Sequence, residues 1–207
     1  LPASFYARDT EAVARDLLGC ILETRIRGLV TAGRIVEVEA YVGPHDPAAH
    51  GYRWRKTARN AGLFGPPGTC YVYFIYGVHW CANVVTERDG YPAAVLLRAL
   101  EPVAGIEIMQ RRRGTNALQQ LCSGPGRLCR AMGIDGSLNG ERVGGPRIRI
   151  YRPAGAPPKT VAAGPRVGIS RARDWPLRFL LAGSPWVSRP LPPQRRVVTS
   201  SREPVKA

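Results

Sequence analysis

The sequence predicts a single α/β domain built on a mainly antiparallel sheet. Three observations carry this. The chain has 207 residues, 44% hydrophobic and 22% charged, which suits one ordinary core rather than a disordered chain. Strand-like apolar runs follow one another through short turns, the pattern of antiparallel neighbours. The helix-like segments between them are brief, with no internal repeat and no clear linker. The domain is expected over residues 1–189. Beyond Arg189, prolines and charges predict a flexible tail over 190–207.

The elements follow in order. Asp9 or Thr10 can cap a helix running to about residue 18, and Gly19 stops it. A strand starts at Cys20, turns near Gly28 and is followed by a second strand over roughly 35–42. Residues 43–68 are rich in Gly, Pro, Asp and Arg and read as a long loop, which in a compact domain is usually functional or disordered. Residues 71–75 and 80–86 are strands, and Tyr76-Gly77 between them makes a β-hairpin with an aromatic at its tip. Residues 94–99 are a further strand. Residues 102–112 suit a helix with Pro102 in its first turn. Ser123-Gly124-Pro125 opens a short helix to about Met132, and 147–151 and 179–181 are the last strands.

Charge narrows the partners. Thirty basic against 15 acidic residues give +15, which favours a polyanion such as nucleic acid or an acidic membrane surface. A merely basic protein remains the alternative. Only Lys56, Lys159 and Lys206 are lysines. Arginine grips phosphate through paired hydrogen bonds and stacks on bases, whereas lysine acts as a point charge. The five cysteines are odd in number and show no C-x-x-C spacing, so reduced thiols in an intracellular protein are expected. No apolar stretch approaches the roughly 18 residues of a membrane span, and no signal peptide opens the chain. The first residue is leucine, which leaves a trimmed leader open. The expected place is the cytoplasm if the source is bacterial and the nucleus if it is eukaryotic, and a monomer is the default.

Residues 35–41 alternate strictly, which puts Glu37, Glu39 and Tyr41 on one face and Val36, Val38 and Ala40 on the other. The first face is either the solvated side of a surface strand or a pair of carboxylates about 7 Å apart beside an aromatic ring. The chemical version fits glycosidic hydrolysis, where a carboxylate activates water and faces the cationic sugar of the transition state. Glu39 lies nearer the loop and is the better candidate; Glu37 is the better structural partner. Tyr76 beside a hairpin glycine is a wedge of the kind that base flipping needs, although tyrosine-rich strands also simply pack a sheet. His45 and His50 match no strong metal motif, so no metal is expected. Arg53, Arg55, Lys56 and Arg59, with Thr57 and Asn60 as neutral donors, form either a phosphate-binding rim or a solvated basic loop. Arg98 ends an apolar run and needs a partner, either a phosphate or Glu101. No lysine lies near Glu39 or the hairpin, so a Schiff-base lyase step is not expected.

Five stretches, GRIVEVEAYVGPHDPAAH, TARN, PGTCYVYFIYG, AVLLRALEP and CSGPGRLC, come in an order and spacing that resemble the alkyladenine (3-methyladenine) DNA glycosylase family from about Ala12 to Ser188. The resemblance implies one α/β domain around a curved antiparallel sheet, surrounded by helices, with a protruding β-hairpin. It implies a monofunctional hydrolase of the N-glycosidic bond of alkylated or deaminated purines in duplex DNA, acting in base excision repair without metal or other cofactor. By the same resemblance Glu39 is the general base. Tyr41 stacks on the flipped base, which Tyr73 and His50 enclose from the other side. Asn83 discriminates against guanine, and Arg98 holds the flipped nucleotide's phosphate or the surroundings of the catalytic water. Tyr76 intercalates, and Thr57, Arg59 and Arg53 contact DNA. Val78 stands where many members carry methionine, Ala82 is small beside Asn83, and His79 occupies an aromatic position. These departures bear on substrate breadth and remove no catalytic group.

Overall fold

A computed structural model describes residues 1–155 and 160–191. Its organising element is the long strand β2 (Leu29–Tyr41), which follows β1 (Ile21–Ile26) through a tight turn at Arg27-Gly28. Along one edge β2 pairs first with β1 and then, over Glu37–Glu39, with β8 (Arg178–Leu181). Its other edge pairs with β5 (Ala94–Ala104). The sheet runs β3-β4-β5-β2-β1-β6, with β3 at Cys70–Ile75, β4 at His79–Val85 and β6 at Ile148–Tyr151. β7 (Val161–Gly164) pairs with β8, and every pairing is antiparallel. Register shifts between β2 and β5 act as bulges that bend and twist both strands, so the sheet curls. The expected α/β class and antiparallel sheet are both present.

The helices close one side of this sheet. Asp9 caps α2 (Thr10–Leu17) by accepting from the N–H of Ala12 at 2.9 Å, so Asp9 rather than Thr10 is the cap. Val13, Ala14 and Leu17 of α2 are buried, as are Leu128, Cys129, Ala131 and Met132 of α4 (Pro125–Met132). They meet Val38, Ala40, Val84, Val95 and Leu97 in one large core. The short helix α1 (Ala3–Tyr6) precedes α2. All five cysteines are buried. Among the described residues no helix is long and apolar enough to cross a membrane.

The structure revises two expectations. Residues 102–104 are not the first turn of a helix but the end of β5, because the extended β2 gives them a partner: Pro102 lies opposite Gly33 and Ala104 opposite Ala32. Helix α3 (Ile106–Arg113) starts only after Gly105, whose φ is 70° and where a Cβ would lie 2.3 Å from the Val30 carbonyl oxygen. The loop over 43–68 contains two 3-10 turns, at Tyr52–Trp54 and Ala58–Phe64. Thr57 and Asn60 form a capping box on the second of these. Most of the predicted tail, residues 192–207, lies outside the described residues.

Candidate active site

Both faces of β2 are covered over residues 36–40, so the solvated-face reading of its carboxylates does not hold: Glu37 and Glu39 have 0% exposure. The cause is long-range. β8 and the chain leading into and out of it bring Arg178, Val167 and Ser188 onto the two carboxylates.

The two glutamates are held differently. Glu37 meets four donors: Arg98 Nε at 3.0 Å, Arg178 Nη1 at 3.1 Å, Ser188 Oγ at 2.8 Å and the Ser188 N–H. Glu39 Oε1 accepts from the Val167 N–H at 2.7 Å and faces Arg98 Nη1 at 3.3 Å. Glu39 Oε2 accepts only from the Tyr41 hydroxyl, at 2.9 Å, among the described residues. A carboxylate has about four acceptor sites. Glu37 meets four donors, three of them crowded on Oε1, whereas Glu39 meets three, and its Oε2 keeps room for one more beside the Tyr41 hydroxyl. Arg98 therefore finds its partners in Glu37 and Glu39. Glu101, the expected partner, pairs instead with Arg34 at 3.0 Å.

Burial raises the pKa of Glu39 above the usual carboxylate value; Arg98, the Val167 N–H and the Tyr41 hydroxyl oppose this, and Glu37 adds to it. Arg98 shifts upward as well, since the two glutamates together outweigh the burial that disfavours its charge. The two directions are compatible because one guanidinium is shared by two carboxylates, so Glu39 receives only part of its compensation.

Tyr41, Arg98 and Val167, the three groups that hold Glu39, all form part of the wall of a cavity of about 830 Å³. Glu39 thus sits directly behind the wall. His50, Tyr73 and Asn83 also line this cavity. The His50 ring lies 4.6 Å from that of Tyr73, and its Nδ1 is 2.8 Å from the Tyr71 hydroxyl. Partial burial, then the nearby Arg59 cation, lower its pKa, so the ring is neutral at neutral pH. Asn83 is buried, and its amide donates to the Tyr71 carbonyl at 3.0 Å. The start of α4 at Ser123–Pro125 reaches the rim, together with Arg113 and Arg127.

Tyr76 stands at the mouth of the cavity and is 79% exposed. It occupies the tip of the β3–β4 hairpin, in a turn closed by Val78 N–H donating to the Ile75 carbonyl at 3.2 Å. Tyr76 and Gly77 carry φ of 53° and 67°, the left-handed pair that a tight hairpin of this hand requires. A left-handed tyrosine costs about 1–2 kcal/mol, a cost borne by a ring that packs on little of its own protein.

Arg53, Thr57 and Arg59 are exposed on the loop that leads away from His50 and do not line the cavity. Arg59 donates to the Phe74 carbonyl at 2.6 Å and so straps this loop to the hairpin. Asn60, expected as a surface donor, is buried. Its amide nitrogen donates to the His50 and Arg55 carbonyls, each at 2.9 Å, which fixes the loop rather than offering a donor to solvent.

Three residues at the site carried no readable signal in the sequence. Val167 and Arg166 lie in a Gly-Pro-Arg-Val-Gly run without periodicity, more than 120 residues from the strand they serve. Ser188 contributes both its N–H and its hydroxyl to Glu37.

Comparison with known proteins bears on this arrangement. Residues 4–185 match the profile of the methylpurine-DNA glycosylase (MPG) family. A protein of Methanoculleus marisnigri is 54% identical over 192 residues, covering 91% of this chain and 98% of its own. One from Rhodopseudomonas palustris is 50% identical, covering 90% and 89%, and one from Chlorobaculum tepidum is 46% identical, covering 95% of each. Each of the three is provisionally named a 3-methyladenine DNA glycosylase.

Proposed function

The chain belongs to the methylpurine-DNA glycosylase family, and we propose that it flips alkylated or deaminated purines out of duplex DNA and hydrolyses their N-glycosidic bond with Glu39 as general base, without cutting the strand. Family membership makes it a DNA glycosylase, a hydrolase of N-glycosyl bonds. The observation that supports the finer reading is the contrast between Glu37, which meets four donors, two of them from Ser188 and one from Arg178 away from the cavity wall, and Glu39, whose three donors all line the aromatic cavity and whose Oε2 keeps an acceptor site.

The sequence of events follows from the chemistry of these groups. Arginines bring the cationic protein to DNA, and Tyr76 enters the stack as the lesion rotates into the cavity. Tyr41 receives the base on one side and Tyr73 with His50 on the other. Cationic bases such as 3-methyladenine gain from tyrosine faces. Water bound at Glu39 attacks C1′ of the deoxyribose. The electrons of the breaking C–N bond leave with the base, and Glu39 takes the proton of the water. The sugar acquires positive character in the transition state, which a carboxylate stabilises. Asn83 discourages guanine through its exocyclic amine. Arg53, Thr57 and Arg59 contact the DNA backbone. The protein acts as a monomer in the compartment that holds the DNA.

The test is base release from a duplex carrying a single hypoxanthine or ethenoadenine, with the strand examined before and after alkali. Free base with nicks only after alkali is the expected result. Nicks without alkali would contradict the strand-sparing mechanism. No release from these lesions or from 3-methyladenine, despite salt-sensitive binding, would contradict the enzymatic reading.

A further inference from the structure

A buried ion pair stands behind the site, and the hydrolytic scheme above makes no use of it. Arg166 and Asp46, 120 positions apart, meet through two parallel contacts: Arg166 Nη1 with Asp46 Oδ2, and Nη2 with Oδ1 at 2.8 Å. Both side chains have 0% exposure. Arg166 Nη1 also donates to the Ala40 carbonyl at 3.0 Å, on the strand between Glu39 and Tyr41. Its guanidinium lies over the Tyr41 ring, 4.7 Å from the centroid. Its Nε meets no partner among the described residues. The next residue, Val167, donates its N–H to Glu39.

Asp46 is equally placed. Its carboxylate accepts from the N–H groups of Val42 at 3.3 Å and Ala48 at 3.0 Å, and so shapes the turn that runs from Tyr41 to His50. Both sides of the cavity are thus tied to one fork. Arg166 backs the Tyr41 ring from outside, leaving the ring to line the cavity, while Asp46 holds the chain that carries His50.

We propose that Asp46 and Arg166 are positioning residues that set the Tyr41 ring, the loop to His50 and the Val167 N–H at Glu39 in one geometry. The pair touches no reacting atom. It acts by fixing where the chain passes at Ala40 and Val167, the two points that flank the carboxylate in space. A guanidinium fork suits this because it fixes direction as well as distance, which an ammonium does not. The proposal rests on Glu39 being the general base.

The test uses the full chain with Arg166→Lys and Asp46→Asn, each of which keeps most of the volume. Single-turnover base release is measured across pH, alongside the affinity for lesion DNA. Arg166→Lys is expected to lower the rate constant about 10- to 100-fold, the effect of roughly an ångström of misplacement, with affinity changed less than about threefold. Loss of the Val167 N–H removes a donor that favours the carboxylate, so the acid limb moves to higher pH. Loosening of the Tyr41 ring weakens a second such donor and moves the limb the same way, while the other groups around Glu39 stay in place: Glu37 on its own strand, Arg98 on β5, Cys81 on β4 and Arg178 on β8. A role limited to stability would reduce the active fraction and leave the acid limb unmoved.

The titration of the Glu39 carboxyl, followed by carbon NMR in wild type and Arg166→Lys, reads the same geometry without activity. An upward shift in the variant supports the proposal. An unmoved carboxyl titration in a folded variant overturns it, whether or not the wild type releases base. A wild type that releases no base while its Glu39 titration still responds to Arg166 would overturn the catalytic reading alone. Should Arg166→Lys not fold, Asp46→Asn is read by the same criteria.

Discussion

The Tyr41 hydroxyl donates to Glu39 Oε2 at 2.9 Å, so the ring that lines the cavity and the carboxylate behind it are one mechanical unit. A base that stacks on Tyr41 is located relative to Glu39 by a single hydrogen bond. Tyr41→Phe keeps the stacking surface and cuts that link. A hydrogen bond to a charged group contributes about 1.5–3 kcal/mol, so single-turnover base release is expected to fall roughly tenfold or more with binding of lesion DNA retained. An unchanged rate would show that the hydroxyl has no part in placing the base.

The raised pKa of Glu39 fixes the sign of the pH dependence. A general base works only when deprotonated, so the rate constant for base release rises with pH through the Glu39 titration. Its midpoint lies above the ordinary glutamate value of about 4.3. A single-turnover profile on a cationic lesion checks this. A midpoint at or below the ordinary value would contradict the burial argument.

Glu37 and Glu39 are predicted to respond oppositely to substitution by glutamine. Glu37 neutralises Arg98 and Arg178 in a buried network. Removing one partner of such a network costs about 3–5 kcal/mol, or roughly 6–20 °C in Tm for a chain of this size. Glu39 has a folded pKa above its unfolded one. Its protonated form therefore stabilises the fold fully below the unfolded pKa, and that contribution is lost as pH rises through the folded value. At neutral pH its charge is a cost, so Glu39→Gln is expected to melt at or above the wild-type temperature. Calorimetry on both variants decides; a large loss for Glu39→Gln would contradict the linkage.

Tyr76 is predicted to matter for DNA and not for folding. Tyr76→Gly removes an exposed ring and relieves a left-handed backbone position, so Tm should stay the same or rise. Base release from duplex DNA should fall 10-fold or more, since refilling the stack offsets an unstacking cost of a few kcal/mol. The loss should be smaller on a lesion opposite a mismatch, where less pairing has to be broken. Equal losses on paired and mispaired lesions would argue against a wedge.

The local patterns in the sequence carried much of this. The alternation over 35–41 placed Glu37, Glu39 and Tyr41 on one face, and Tyr76-Gly77 marked the hairpin tip. Period two, however, distinguishes faces without saying which is buried. Here burial comes from β8 and from Val167 and Ser188, more than 120 residues downstream. The same long-range pairing explains Pro102. Its local preference for a helix start is overridden because β2 extends far enough to give it a place opposite Gly33. Asp46 and Arg166 look like ordinary loop charges in the sequence; only the folded chain makes them a pair.

Glu39 is expected to perform the chemistry and to contribute little to binding. The decisive measurement is single-turnover base release from a hypoxanthine duplex, made together with duplex affinity for wild type and Glu39→Gln. The variant's rate constant should be lower by at least about 10²-fold, the low end of what a positioned general base contributes, with affinity within a few-fold of wild type. A Glu39→Gln protein that releases base at the wild-type rate would contradict it and move the search for the base to another group on the cavity wall.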